Sequence, residues 1–230
     1  MRNGHCPGRL CAVAVIAGVL AATPVQAGSV AFIGDEFSST GGLGSFDGLL
    51  EYDADLFSTV GTLRIMLTNT SAPENGGYIT GFLFNIADGG GDTAATLLSD
   101  PESIYPFEQC VGNGLNGQPY GNPYDAGAAL GGSFLGGGDP TGGIAVGDTG
   151  SFTFQIESAD AWALAAGSFL DGGPYEFDFL VRFRGFDDGG SDKVPAVMIP
   201  LPAPIALGAV GLVAAIVGAA RYRRSSKAQG

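Results

Sequence analysis

Apolar and polar residues alternate along four segments of the chain, at 62–68, 78–86, 152–156 and 175–183. Leucine, isoleucine or phenylalanine fills every second position of the first and third segments, and aromatic residues fill most of these positions in the other two. Apolar residues at a period of two, rich in aromatic and β-branched types, are typical of half-buried strands. We therefore predict a strand at each of the four segments.

Shorter apolar runs extend this pattern, and clusters of Gly, Asp, Asn and Pro separate them as turns. Three of the runs predict further strands, at 30–33, 48–52 and 128–135. Two others, 93–98 and 159–166, have the composition of a turn or two of helix. Many short strands joined by polar turns favour an all-β fold, an antiparallel β-sandwich that is jelly-roll-like.

The segment 110–149 is the least regular part of the chain because it is dense in Gly, Asn, Pro and Asp. This composition predicts long glycine-rich surface loops. Within these loops we expect one strand near Ser133-Phe134-Leu135, at the end of the apolar run 128–135.

The first 27 residues have the layout of a secretory signal peptide. Arg2 and Arg9 are followed by a short apolar run at 10–22, and small residues precede a cleavage point between Ala27 and Gly28. The run is too short for a membrane span. We therefore expect export, with a mature chain that begins at Gly28.

The last part of the chain, 197–230, combines three features in a fixed order. The proline motif Ile199-Pro200-Leu201-Pro202-Ala203 comes first. Its prolines keep this segment out of a helix. The apolar segment 205–220 follows, about 24 Å long as a helix against about 30 Å of hydrocarbon. The basic residues after it hold that end in the cytoplasm; they are Arg221, Arg223 and Arg224.

These features together resemble the PEP-CTERM class of exosortase sorting signals, in its VPLPA variant. The resemblance implies export, arrest in the cell-envelope membrane and removal of the tail by an exosortase-type processing enzyme. The protein would then reach the cell surface or the extracellular polymer, with exopolysaccharide as a partner. A plain single-pass anchor stays open as the alternative.

Between the two ends lies one domain of ordinary size, at 28–196. All 23 acidic residues of the chain fall within it, opposed there only by Arg64, Arg182, Arg184 and Lys193. This balance excludes nucleic acid as a partner because the phosphates would be repelled. It suits an extracellular protein or one that gathers cations.

Two absences narrow the chemistry that is available to the exported part. Its sequence contains no histidine, since His5 lies in the signal peptide, and this excludes Ser-His-Asp and Cys-His catalysis. Cys110 is its one cysteine, so an internal disulfide and a thiolate zinc site are excluded too. Two roles stay open for Cys110, a buried apolar side chain or an intermolecular bridge. No cofactor is expected.

Two short motifs have the letters of functional sites without their context. The run 112–117 fits G-x-G-x-x-G, but QPYGNPY after it cannot begin the helix that dinucleotide binding requires, so we expect a loop. Asp148-Thr149-Gly150 matches half of an aspartic-protease dyad, and no second copy occurs in the chain. A turn that enters the strand at 152–156 explains Asp148 equally well.

Acidic residues form two glycine turns that are calcium candidates, although ordinary solvated turns are the favoured interpretation. Their carboxylates are Asp187, Asp188 and Asp192 in one turn, and Asp88 and Asp92 in the other. Three further acids, Glu51, Asp53 and Asp55, share the parity of one strand face and are expected to point outward.

The single tryptophan, Trp162, is expected in the core, with stacking on a sugar ring as the alternative. The leading hypothesis is a secreted, non-enzymatic β-sandwich at the cell surface. A calcium-assisted glycan-binding module and a small hydrolase are the two rivals.

Overall fold

The structure is a computed structural model that describes residues 28–34, 36–87, 93–100, 106–121, 123–170 and 177–199. The predicted signal peptide, the tail from Pro200 onward, and both Asp88 and Asp92 lie outside these residues, so the expectations about them stay predictions. Within the described ranges, no helix has the length and apolar character needed to cross a membrane.

Ten strands form the described part of the chain, and its helical turns are short 3-10 segments. The strands are β1 (Gly28–Gly34), β2 (Phe46–Ala54), β3 (Val60–Asn69), β4 (Gly76–Phe84), β5 (Ala94–Ser99), β6 (Phe107–Gln109), β7 (Ala126–Leu130), β8 (Thr149–Glu157), β9 (Phe179–Phe186) and β10 (Ser191–Met198). All pairings between them are antiparallel. The predicted all-β antiparallel class is confirmed.

The strands make one continuous sheet in the order β5-β8-β3-β2-β1-β10-β9-β4-β7-β6. The sheet folds over between β1 and β10, so the first five strands form layer A and the last five form layer B. β1 pairs with β2 along its length and with β10 near its end, where Phe32 lies opposite Met198. This pairing removes two exposed edges, which in an open sandwich would invite aggregation.

The opposite edge of the fold is closed by a side chain rather than by a strand ladder. Gln109 of β6 accepts a hydrogen bond from the Leu97 amide at 3.0 Å and donates one to the Ala95 carbonyl at 2.6 Å. Its side-chain amide therefore satisfies one donor and one acceptor on the free edge of β5. The ten-stranded sheet is nearly closed as a result.

Phenylalanine rings fill the space between the two layers. Phe82 of β4 in layer B packs edge-on against Phe152 of β8 in layer A, with ring centroids 4.6 Å apart. Phe32 of β1 makes a similar contact with Phe179 of β9, at 4.9 Å. These rings are 0% exposed, so the alternating positions seen in the sequence do form the core.

Layer B differs from the prediction because β7 and most of β4 are buried on both faces. The outward side chains Leu83 and Leu180 are fully buried, in a second apolar cluster with Cys110, Tyr124 and Phe134. The segment predicted as surface loops supplies this cluster by folding across the outer face of the layer. The residues of a strand do not show whether another segment of the chain will pack on its outer face.

Two local predictions were wrong, and two strands were missed. The segment 93–98 was expected to be helical, yet β5 pairs there with β8, which shows pairing overriding the helical tendency of Ala and Leu. The strand expected at 128–135 ends at Leu130, because Gly131 and Gly132 adopt φ values of 70° and 68°. Phe134 lies in the turn that follows, fully buried. The strands β6 and β10 were not expected at all.

The segment 159–166 behaves as expected, with short 3-10 turns at Ala161–Ala163 and Ala166–Phe169. The first of them follows β8 and crosses the end of layer A. It brings Trp162 to the surface beside the turn that joins β2 to β3.

Candidate functional site

Two aromatic side chains stand together on the surface at one end of layer A. Phe57 is 75% exposed and Trp162 is 36% exposed, and their ring centroids lie 5.4 Å apart with the ring planes tilted by 58°. The expectation that Trp162 belongs to the core is therefore wrong. We call these two residues the aromatic pair.

Backbone hydrogen bonds hold the aromatic pair in place. The Trp162 amide donates to the Ser58 carbonyl at 3.2 Å, and the Ser158 amide donates to the Thr59 carbonyl at 3.0 Å. These bonds join the β2–β3 turn to the segment after β8, although about one hundred residues separate the two segments in sequence. Phe57 and Trp162 are thus carried by two segments that these hydrogen bonds hold together.

Phe57 has a strained backbone. Its φ of 63° lies in the left-handed region, and Phe57 is the one non-glycine residue with positive φ in the described part of the chain. This conformation costs about 1–2 kcal/mol for a residue with a Cβ. Bulky residues in this region cluster at functional sites, because glycine or asparagine would form the same turn with less strain.

A buried tyrosine supports the segment that carries Trp162. The Tyr52 hydroxyl donates to the Ala161 carbonyl at 2.8 Å, and Tyr52 is 1% exposed. Burial raises the pKa of Tyr52 to about 12, with a smaller contribution from the negative charge of Asp53. The phenol therefore stays protonated, and keeps donating this bond, well above neutral pH.

A polar groove of about 560 Å³ lies on the outer face of layer A, at the same end as the aromatic pair. Cross-strand pairing sets its walls, because Glu51 lies opposite Arg64, and Asp53 lies opposite Thr62. Glu51 and Arg64 form an ion pair with 3.8 Å between their oxygen and nitrogen atoms. The expectation that these acids point outward is confirmed, and Asp55 is exposed in the turn beyond them.

The same outer face continues as rows of hydroxyl and amide groups across β3 and β8. Thr62 pairs with Gln155, and Thr68 pairs with Thr149, whose hydroxyl oxygens are 2.7 Å apart. These side chains alternate with the buried core positions of their strands, so they all stand on one side of the sheet. The surface is a polar sheet face bordered at one end by two exposed rings.

The motif at Asp148 is a turn. The Asp148 amide donates to the Ala145 carbonyl at 3.0 Å, and its own carbonyl accepts from the Asn69 amide at 3.1 Å. Thr149 begins β8 directly after it. The turn interpretation of Asp148-Thr149-Gly150 is confirmed.

The G-x-G-x-x-G motif also has an ordinary structural role. Its first four residues form a 3-10 turn at Gly112–Leu115, which ends at Asn116 in extended backbone. A cis peptide bond between Gln118 and Pro119 follows shortly after. With no helix after the glycines, the loop interpretation is confirmed.

The three described calcium candidates are not brought together. Asp192 is fully buried and accepts hydrogen bonds from the Thr40, Gly44 and Lys193 amides, at 3.1, 3.2 and 2.8 Å. Asp187 and Asp188 are exposed in the β9–β10 turn, where Asp188 accepts from an amide of its own turn. Among the described residues, no group of three or more acidic, cysteine or histidine side chains is placed to hold a metal ion.

Cys110 is a buried thiol, as one of its two expected roles required. It is 2% exposed in the second apolar cluster, and burial raises the pKa of the thiol to about 12. Since the thiolate is the reactive form, we expect native Cys110 to react with iodoacetamide at pH 8 roughly a hundredfold more slowly than in denaturant. Mass spectrometry of the Cys110 peptide measures both rates, and equal rates would place the thiol at the surface.

Comparison with known proteins does not assign a family. No family model matches the chain, and neither does any curated protein sequence. Among solved structures, a biomass-sensing module of an RsgI-like protein from Clostridium thermocellum, described as resembling the family 3 carbohydrate-binding module of the cellulosome, is similar. It shares 8% identity at a TM-score of 0.30, over 69% of this chain and 92% of that one.

A second similar structure is the CBM3 of Hungateiclostridium clariflavum. It shares 10% identity at a TM-score of 0.30, over 76% of this chain and 99% of that one. At this TM-score, neither likeness bears on what this chain binds.

Proposed function

We propose that this protein is an exported, non-enzymatic module with a jelly-roll-like β-sandwich that binds polysaccharide on the outer face of layer A. The observation that carries the proposal is the aromatic pair, two exposed rings held at the border of a polar sheet face. Phe57 keeps its ring in solvent in spite of a strained backbone. Such strain is retained where the surrounding structure and a function require it.

The chemistry of this surface matches that of a sugar chain. Each pyranose ring has an apolar face that can lie on an aromatic ring, and hydroxyl groups that donate and accept hydrogen bonds at its edge. The aromatic pair offers the first kind of contact. The groove offers the second, with Asp53, Thr62 and Arg64 within reach of one another. Sites of this kind combine apolar walls with a few convergent polar groups.

Binding without catalysis is favoured by the placement of the acids. Hydrolysis of a glycosidic bond needs two carboxyl groups on either side of the scissile bond. Here Glu51 and Asp53 stand on one face of one strand, and Glu51 is already paired with Arg64. The exported sequence also offers no histidine as a general base.

The test is a binding measurement with neutral polysaccharides, such as cellulose, mixed-linkage β-glucan and mannan. Trp162→Ala is expected to weaken binding to the recognised polymer roughly tenfold or more, because aromatic side chains that a ligand covers contribute most of the binding energy. Val111→Ala is the control, since Val111 is 67% exposed and follows β6 of layer B. If no polymer binds, or if both variants behave alike, the proposal fails.

Phe57→Asn sharpens the same test. Asparagine tolerates positive φ, so the variant relieves strain while it removes the ring. We expect the free energy of unfolding to stay within about 1 kcal/mol of the wild type, because strain relief offsets the lost ring contact. Polysaccharide binding should nevertheless fall as in Trp162→Ala. A variant that binds normally would show that the ring serves only the fold.

We also propose that the C-terminal tail delivers this module to the cell surface as an exosortase-type sorting signal. The order of its proline motif, apolar segment and arginines supports this. Replacing Pro200 and Pro202 with alanine is expected to leave membrane arrest intact and to prevent release. If protein from the native host is uniformly intact through Gly230, the tail is a plain anchor instead.

A further inference from the structure

Three of the four basic residues of the predicted domain lie side by side on the outer face of layer B. Lys193 of β10 is the cross-strand neighbour of Arg182 in β9, and Arg184 follows two residues later on the same face. All three are partly exposed. We call them the basic cluster, and it stands out in a chain that has 23 acidic residues.

Within the described part of the chain, no carboxylate forms an ion pair with the basic cluster; the ion pair found there joins Arg64 to Glu51 in the other layer. The arginines bind neutral carbonyl groups instead. Nη1 of Arg182 donates to the carbonyls of Phe134 and Gly136, and Nη1 of Arg184 donates to that of Gly137 at 2.6 Å. Among the described residues, no carboxylate therefore compensates the positive charges of the basic cluster by an ion pair.

The three charges also repel one another. Burial lowers the pKa of Arg182 to about 10, and the neighbouring Arg184 adds to this shift. The pKa of Lys193 is lowered by burial and next by Arg182, against a weaker opposing effect of Asp192. The Asp192 carboxylate lies on the buried side of β10, where backbone amides already occupy it.

One acid, Asp139, lies near enough to Arg184 for the two charges to interact. The pKa of Asp139 is lowered, mainly by hydrogen bonds from Thr141 and only slightly by Arg184. Asp139 thus has its own partner in the loop. Clustered like charges of this kind destabilise a protein unless an anion lies against them.

We propose that Arg182, Arg184 and Lys193 form a site for the carboxylate or sulfate groups of an acidic polysaccharide. A local cluster of cations can hold such groups at short range although the domain as a whole is acidic, because salt screens the more distant charges. This inference rests on the proposed function and deepens it, because it names the substrate class and a second contact surface. Guanidinium groups recognise carboxylate and sulfate geometry well, and Lys193 adds a mobile ammonium group. The Lys193 side chain makes no hydrogen bond with a described residue, so its Nζ is available to a ligand.

An apolar pocket next to the basic cluster favours a polymer over a small free anion. Ser39 is bonded to Lys193 in both directions, with its amide donating at 2.9 Å and its hydroxyl oxygen accepting at 2.9 Å. Two residues earlier, Phe37 is 63% exposed and lines a pocket of about 380 Å³ with Tyr120 and Phe177. A sugar ring against these aromatic side chains would add an apolar contact that a small free anion cannot make.

The experiment compares polygalacturonate with its methyl-esterified form, using the purified full chain at two salt concentrations. Wild type is expected to bind the acidic form about tenfold more tightly, the effect of one or two charge-assisted hydrogen bonds. The preference should shrink at high salt. Lys193→Gln should abolish most of it, and Arg184→Lys, which keeps the charge and a donor for the Gly137 carbonyl, should retain part of it.

Lys227→Gln is the matched control, because it makes the same substitution at a lysine outside the domain at 28–196 and outside both proposed binding surfaces. It should leave the preference for the acidic polymer unchanged. Equal binding of the two polymers by wild type, or an unchanged preference in Lys193→Gln, overturns the inference. Monomeric galacturonate that binds as tightly as the polymer would make this a small-anion site and overturns the assignment to polysaccharide.

The failures of the two proposals are distinguishable. If neutral polysaccharides bind and Trp162→Ala weakens them, while the acidic polymer has no advantage, the basic cluster alone is assigned wrongly. If no polysaccharide binds in any form, both proposals fall together.

Discussion

Replacing Phe82 with alanine is expected to lower the free energy of unfolding by about 3–5 kcal/mol, the range observed when a fully buried Phe is truncated. Phe82 is 0% exposed and lies in the second half of β4. Its ring contacts Phe152 and Phe154 of the opposite layer, with centroids at 4.6 and 6.1 Å. It also stacks on Phe179 of its own layer at 5.8 Å.

Truncation at this position leaves a cavity where the two layers meet, because the rings around it belong to two strands, β8 and β9, that lie in different layers. Denaturant unfolding measures the change, with Phe37→Ala as the control because the same atoms are removed from a ring that is 63% exposed. The control should change stability by less than about 1 kcal/mol. If the two variants lose similar amounts, the layers are not packed as described.

Phe82→Leu keeps the prediction testable if the alanine variant does not fold. A smaller apolar side chain that nearly fills the space should cost about 1–2 kcal/mol. The order wild type, leucine, alanine is then expected in the midpoints of unfolding.

The core could be predicted from the sequence because it depends on a local rule. In β3 and β8, side chains of alternate residues face the core, and the alternation of apolar and polar residues in the sequence shows this directly. The partners of these strands could not be predicted in the same way. Gly48 illustrates the reason, since a Cβ on it would overlap the ring of Phe32 in the neighbouring strand. Only the register of β1 against β2 makes glycine necessary there.

The candidate sites were harder to predict, since their residues meet through long-range contacts. Trp162 and Phe57 lie far apart in the sequence, in a loop and in a turn. They form a pair only because hydrogen bonds between the two segments place them together. The positive φ of Phe57 could not be predicted from the sequence, because Gly and Asn, the residues that usually adopt positive φ in turns, are absent at that position. Arg182 and Arg184 could be placed on one strand face by parity, but Lys193 joins them only through β10, which was not expected.

Asp192 was expected in a solvated turn or as a calcium candidate, and the structure shows instead that it organises the loop between β1 and β2. Its carboxylate accepts from the Ser39 hydroxyl at 3.1 Å and from the Thr40 and Gly44 amides at 3.1 and 3.2 Å. Asp close to Gly in a sequence is typical of a turn. The parity of β10, in which Asp192 shares the inner face with Val194, was the signal for burial.

We expect Asp192→Ala to lower the free energy of unfolding by about 3 kcal/mol or more, because several hydrogen bonds to one charged group are lost together and buried amides are left without an acceptor. The loss should be local at first, since the bonds anchor the loop that carries Ser39 and Gly44. Hydrogen exchange should therefore show faster exchange of the Thr40 and Gly44 amides before global unfolding changes.

Two further variants separate the charge from the shape of this side chain. Asp192→Asn keeps one acceptor oxygen but turns an NH₂ group toward either the Gly44 or the Thr40 amide, so it should recover only part of the lost stability. Asp188→Ala is the control, because Asp188 is exposed and accepts one bond within its own turn, from Gly190. Its expected loss is below about 1 kcal/mol. Since Ser39 and Lys193 are joined by two hydrogen bonds, Asp192→Ala should also weaken the preference for the acidic polymer. A stable Asp192→Ala protein with unchanged exchange at Gly44 would show that the loop is held by other contacts.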